Sequence, residues 1–324
     1  MKKIVGILLA GALLTSAFAA DLTGAVRLDG ELFNYNGTSG EVKALMIKPN
    51  QQMYWGPLTL SVSSDRAGGT MKMCDEGSDK LSVGKWAIWF KPMDMLKVNL
   101  GTIDKSMNTE SIDWGGRVLN YDSFGASLDV NVDAFSATIA VVPGAGNYWM
   151  SKEDGADLVA GRLNLYAQYA ADFGTISAML DFSENFKKTS IAAGYKNTFG
   201  DITMFADAAV YLKENANDFA VDADVVYAKD ALNAQVYVKF DAPFEGIAKE
   251  TIGLVTLAKV SYNLGSVTPY LYFKDANIFA SDFACTIKPG VTGSVGIMNY
   301  EVAVQFDIAK KVNIAVPVNF SVNF

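Results

Sequence analysis

Histidine does not occur once in the 324 residues. Its absence excludes Ser-His-Asp hydrolysis, the commonest general base and most transition-metal sites. Cysteine is nearly absent as well. Cys74 and Cys285 allow one disulfide or two idle thiols, but not a fold built on disulfides. Arginine is limited to Arg27, Arg66, Arg117 and Arg162. Positive charge is short overall: 27 Lys and Arg stand against 35 Asp and Glu, a net −8 that becomes −10 without Lys2 and Lys3. Nucleic acid is a poor partner for so acidic a chain. Also missing is an apolar helix long enough to span a membrane after the first twenty residues. The longest uncharged run, 134–151, is interrupted by Pro143, Gly144 and Gly146, whereas a span needs ~20 mostly apolar residues.

Against these absences stands an export signal. Lys2 and Lys3 precede an apolar run from Ile4 to Leu14 and the small residues around Ala17-Phe18-Ala19. That reads as a secretory signal peptide, 1–19, cut after Ala19 and leaving 20–324 as one domain. Half of the sequence is apolar. An exported, apolar chain without hydrophobic helices must bury or present its apolar surface in another way.

Reading every second residue shows how. Gly161, Leu163, Leu165, Ala167 and Tyr169 alternate with Arg162, Asn164, Tyr166 and Gln168. Ile202, Met204, Ala206, Ala208 and Val210 share a parity opposite Asp207. The same holds for Phe219 to Tyr227 against Asp222 and Asp224, for Leu232 to Phe240 against Asn233, Gln235 and Lys239, and for Tyr300 to Ile308 against Glu301, Gln305 and Asp307. Successive strand side chains point to opposite faces, so each segment is a ribbon with one apolar face. The other face is mild, rich in Ser, Thr, Asn, Gln and Tyr rather than in the Lys and Glu of a soluble sheet. The segments run about 8 to 14 residues, close to the ~9–11 that a tilted strand needs to cross a bilayer.

The connections alternate too. "ADFGTI" (171–176), "NTFGDI" (197–202) and "YNLGSV" (262–267) are short turns with a glycine for positive φ, and "KPMDMLKV" (91–98) is another. Longer polar connections fall at 64–80, 104–121, 143–157 and 275–285. Short turns on one rim and long loops on the other predict an all-β, closed antiparallel transmembrane β-barrel, with short periplasmic turns and longer extracellular loops. About seventeen segments are visible, including weaker ones at 41–48 and 58–63, and 290–298 is where a further strand would lie. The expected number is even, 16 to 18. Pro269 and Pro317 fall inside these strands, where each deletes a ladder N–H.

The sequence closes on "NIAVPVNFSVNF", 313–324, with Ile314, Val316, Val318, Phe320, Val322 and Phe324 on one parity. Unpaired strand edges are intolerable in hydrocarbon, so this last strand should pair with the first, 22–33, and place Phe324 at the membrane interface. Such an ending resembles the signal by which bacterial outer-membrane proteins are handed to the barrel-assembly machinery, with Phe320 and Phe324 carrying it. Signal peptide, alternation and terminal Phe together resemble the outer-membrane porins of the general diffusion kind. The "KPMDMLKV" turn and the scarcity of arginine are similar to spirochaete porins. The resemblance implies outer-membrane localisation, membrane lipids and the assembly machinery as partners, and leaves a homo-oligomeric trimer open.

A barrel of 16 to 18 strands leaves an aqueous lumen. Passive diffusion of small hydrophilic solutes and ions is the expected function, with no catalytic residue, metal or cofactor. The connection 104–121, "DKSMNTESIDWGGRVLNY", resembles the loop that folds into the lumen of general porins and constricts it. Asp104, Glu110 and Asp113 would bring acid to the constriction and Arg117 a cation, while Arg27, Lys97 and Arg162 are candidates for the lumen wall. The expected outcome is a modest cation preference. Trp89 and Trp114 are candidates for carbohydrate contact. "CDEGSDK" (74–80) is acidic but lacks calcium-loop spacing. The rival reading is a surface-exposed structural or adhesin barrel without an open pore.

Overall fold

The computed structural model describes residues 19–49, 58–75, 81–107, 119–142, 161–183, 187–213, 217–248, 251–275, 277–279 and 284–323. Along them run twenty strand segments. These are β1 (Ala19–Asn36), β2 (Glu41–Pro49), β3 (Leu58–Ser63), β4 (Ala67–Asp75), β5 (Leu81–Met93), β6 (Leu96–Ser106) and β7 (Asn120–Val132). Next come β8 (Phe135–Val142), β9 (Arg162–Ala171), β10 (Gly174–Ser183), β11 (Lys188–Phe199), β12 (Ile202–Leu212), β13 (Asn217–Lys229) and β14 (Leu232–Pro243). The last are β15 (Gly253–Tyr262), β16 (Val267–Asp275), β17 (Cys285–Val295), β18 (Met298–Ala303), β19 (Gln305–Ile308) and β20 (Val312–Asn323).

Pairing is antiparallel throughout and joins sequence neighbours except β2 with β3 and β18 with β19, and β20 pairs with β1 from Asn323↔Ala25 to Ile314↔Tyr35. The sheet therefore closes on itself. Two strands are interrupted. β2 and β3 follow one another along β1, facing Leu28–Asn36 and Ala19–Gly24 respectively, with 50–57 between them. β18 and β19 share one register against both β17 and β20 and lapse only at Val304. Counting each interrupted strand once gives eighteen strands around the ring among the described residues.

The lapse at Val304 has a local cause. By register its neighbours are Pro289 on β17 and, one place away, Pro317 on β20. Neither proline has an N–H to give, and the Val304 N–H bridges back to the Pro289 carbonyl at 2.9 Å. On its other side Pro317 adjoins the bulge between Glu31 and Asn34 of β1. The seam absorbs its proline with one bulge and one gap.

One expectation needs correction, and one open alternative is decided. The stretch 64–80 is not a long connection. Ser64 turns the chain at once, its N–H donating to the Ala67 carbonyl at 2.7 Å, and β4 follows. The alternation of β4 is diluted by Gly68, which must stay small because the Trp89 ring lies against it, 2.7 Å from where a Cβ would stand. The possible disulfide is also excluded. Cys285 is a free, buried thiol, and four strands of the ring separate its strand from that of Cys74. At about 4.8 Å per strand that is far beyond the ~7 Å limit for bridged Cα atoms. The further strand near 290–298 is β17.

The two faces sort as the alternation implies. Ile176, Ile191, Met204, Val221 and Val236 are exposed on the outside, while their neighbours Ser177, Ala192, Phe205, Asp222 and Tyr237 are buried on the inside. The turn glycines Gly174, Gly200 and Gly265 all have positive φ. Phe173, Phe199 and Leu264 stand exposed beside them, as an interface girdle should. Val236 is 48 % exposed on this outer belt. Val236→Arg should cost about 2–4 kcal/mol in a bilayer-refolding titration, and a nitroxide at Val236→Cys should relax with oxygen rather than with a water-soluble nickel chelate. The opposite accessibility would mean that the apolar row does not face lipid.

Candidate functional site

The inside of the ring is not an empty tube. β6 and β7 pair without a break from Leu96↔Val130 to Ser106↔Asn120. Their outer neighbours do not follow them. The β5 ladder against β6 begins at Ala87↔Gly101, and the β8 ladder against β7 ends at Ala126↔Val141. Beyond that level β6 and β7 form a two-stranded arm with no partner on either flank among the described residues. Gly101 and Gly125, cross-strand partners, mark where the arm leaves the wall. Gly101 has φ of 111°, and a Cβ there would collide with the Trp86 carbonyl and stand 2.9 Å from its ring. Only glycine takes that bend.

The arm bends into the lumen. Ile103 buries itself against Ala140 on the inner face of β8. Lys105 reaches Asp129 at 3.7 Å. Met107, whose N–H donates to the Leu119 carbonyl at 3.1 Å, is 2 % exposed. Met107 and Leu119 pack with Met179, Ala192, Ala209 and Ala220 of β10 to β13, flanked by Tyr166 and Tyr211. The Met107 methyl is 2.9 Å from where a Cβ on Gly194 of β11 would stand. One face of the arm, Ile103, Lys105 and Met107, thus beds on the wall. Asp104, on the other face, is exposed.

This revises the constriction residues. Asp104 belongs to β6 and Tyr121 to β7, so the ends of the connection 104–121 are paired strand rather than loop. The alternation there is faint in residue type because it sorts wall from water, not lipid from water. Glu110, Asp113, Arg117 and Trp114 lie outside the described residues.

The three wall candidates all sit on strands. Arg27 is exposed and meets Asp29 of its own strand at 3.0 Å. Lys97 lies over the Trp89 ring at 5.1 Å, with Lys91 at 5.7 Å. Arg162 is half-buried, its Nε donating to Asp181 at 2.7 Å. These do not form one cluster.

The larger charge sets lie on the inward rows, opposite the apolar ones. Asp181, Asp207, Asp222 and Asp224 on β10, β12 and β13 are buried, Asp224 completely. Asp207 and Asp222 are direct cross-strand partners, an arrangement that needs local compensation. Tyr237 donates to Asp222 at 3.0 Å, Gln235 to Asp224 at 2.6 Å and Asn164 to Asp181 at 3.3 Å. On the next strands the sign changes. Lys259, Lys274 and Lys288 line a cavity of about 440 Å³ with Tyr270, Tyr272 and Glu301. Lys288 meets Glu301 at 2.7 Å, and Tyr270 donates to the same carboxylate. The Lys259 and Lys288 ammoniums lie 4.9 and 5.8 Å from the Tyr270 ring centre. A second cavity, about 360 Å³, adjoins at Glu301 and is lined by Thr268, Thr292, Ser294, Asn299 and Asn319. The parity of β15 to β17 contained this signal, since Lys259, Tyr270, Tyr272, Lys274 and Lys288 all take inward positions, but it needed the register to bring them together.

Comparison with known proteins returns no matching family model and no similar curated protein. Solved structures do match. OccK3 (OpdO) of Pseudomonas aeruginosa superposes with a TM-score of 0.62 at 9 % identity, over 95 % of this chain and 96 % of that chain. OpdQ of Pseudomonas aeruginosa gives 0.60 at 10 % identity, over 95 % and 99 %. A BenF-like porin from Pseudomonas fluorescens Pf-5 gives 0.56 at 10 % identity, over 94 % and 99 %. At such identities the likeness is one of architecture. The chain has the fold of the outer-membrane β-barrel porins.

Proposed function

We propose that the protein is a bacterial outer-membrane porin, a water-filled channel through which small hydrophilic solutes and ions diffuse passively. The observation that carries this reading is the inner face of the closed ring. Eighteen strands enclose an aqueous width, and the inside bears polar cavities and charged rows while the outside bears the apolar belt. The β6–β7 arm supports a constriction, because both of its described ends, Met107 and Leu119, pack on the inner wall of β10 to β13. The connection joining them supplies Glu110, Asp113 and Arg117, and with Asp104 its acids would tilt permeability towards cations. Lysines of β15 to β17 act in the other direction and offer negatively charged solutes a hold. OpdK has been crystallised with vanillate and OccK2 with glucuronate, so small carboxylates are the first solutes to try here. Phe320, on β20, pairs with Leu28 of β1 at the seam, which fits a part in assembly; Phe324 lies outside the described residues.

An arm lodged in the lumen also fits a plugged, structural barrel. Planar-bilayer recording separates the two readings: discrete open-channel steps are expected, and silence would reject the pore. Asp104→Asn, Glu110→Asn and Asp113→Asn together should move the reversal potential towards anion preference; an unmoved potential would reject these acids as the selective charges. Gly101→Val should raise conductance, because a β-branched residue at that φ costs about 1–3 kcal/mol in strain alone and turns the arm off its bend.

A further inference from the structure

A water-filled barrel has little use for apolar side chains on its inner wall, yet one row there is almost wholly apolar. Tyr166, Met179, Ala192, Ala209 and Ala220 are successive cross-strand partners from β9 to β13. All but Tyr166 are buried, and what buries them includes Met107 and Leu119 of the arm. The next inward row along these strands contains Gly194, Asp207 and Asp222, again direct partners. Gly194 leaves room for two side chains at once, the Asp207 carboxylate and the Met107 methyl, both of which a Cβ would strike. Across the ring the wall is different in kind. Two polar cavities lie along β15 to β20, where no apolar cluster covers the wall among the described residues, and a third, about 510 Å³, borders the apolar row at Tyr211 and Ala220 and is lined by Asp218, Lys239 and Asp241 of β13 and β14.

We infer that the lumen is divided. The arm covers the apolar row from β9 to β13, with Met107 as the knob and Gly194 and the alanine row as its socket. Solutes pass on the other side, along Thr268, Lys259, Tyr270, Lys288, Glu301 and Gln305. Two consequences follow from the geometry. Met107 fixes the width of the path, since its seat decides how far the arm stands off the opposite wall. The charge a solute meets is that of the lysine side and of the arm's outward face, where Asp104 is exposed, while the inward carboxylates of Asp207 and Asp222 are buried on the arm's side, out of its way. This division deepens the porin reading and rests on it.

The test uses the full chain refolded into lipid vesicles and planar bilayers, with Cys74→Ser and Cys285→Ser as background. Single cysteines are placed in the bed (Ala209→Cys) and on the path (Gln305→Cys, Thr268→Cys). The probe is a cationic methanethiosulfonate reagent, read by mass spectrometry and by channel current. Path cysteines should label quickly and reduce the current. The bed cysteine should label at least about tenfold more slowly, as at a site reached only through local opening. Adding Met107→Ala should speed labelling at Ala209→Cys and raise the unitary conductance. Equal labelling of bed and path with Met107 in place overturns the division. Reversal potentials give a second readout: Lys288→Gln should shift selectivity towards cations and Asp222→Asn should not, and a shift with Asp222→Asn as large as with Lys288→Gln also overturns it. Absence of current in every variant, with the labelling contrast intact, would instead sink the porin reading and leave the arm on its bed.

Discussion

Every backbone N–H and C=O that meets hydrocarbon must find a partner inside the protein, and this requirement governs the whole molecule. A sheet satisfies it only by having no edges, so the first and last strands are bound to each other. The cost of imperfection at that seam is visible. Pro317 removes a donor from the last strand, and the structure answers with a bulge in β1 and a one-residue gap at Val304 rather than with an open edge. β2 and β3 both pair with β1, along Leu28–Asn36 and Ala19–Gly24.

Closure also explains why the arm must be a hairpin. When β6 and β7 leave the wall they lose their outer neighbours, but they keep each other, so their facing groups stay hydrogen-bonded all the way to Met107 and Leu119. A single strand turned inward would abandon both ladders. The glycine pair at 101 and 125 supplies the bend, and the bed of alanines leaves room for the Met107 and Leu119 side chains. Apolar packing inside a wet lumen thus appears where it has a purpose, holding an element in place where lipid cannot.

The charges are arranged by the same division. Buried carboxylates on β10 to β13 take hydrogen bonds from Arg162, Asn164, Gln235 and Tyr237, as low-dielectric surroundings demand. Ammonium groups on β15 to β17 stay nearer to water and draw on the aromatic faces of tyrosine instead. Net charge, which is acidic for the chain, therefore says little about the field along the path. What counts is which charges remain in contact with solvent.

Alternation is a local property, and it was enough to establish the strands, their lipid-facing rows, the short-turn rim and the need for closure. It established the seam too, because the final segment carries the same period. Where alternation is weak, residue type alone does not mark the strand: β4 is thinned by Gly68 and Gly69, and the arm sorts side chains between wall and water, a slight contrast. Only the three-dimensional register could decide that Met107 meets Gly194 across five strands, that Asp207 faces Asp222, and that Lys259, Tyr270 and Lys288 converge. Those contacts join residues on different strands, and no periodicity along one strand contains the offset between it and its neighbours.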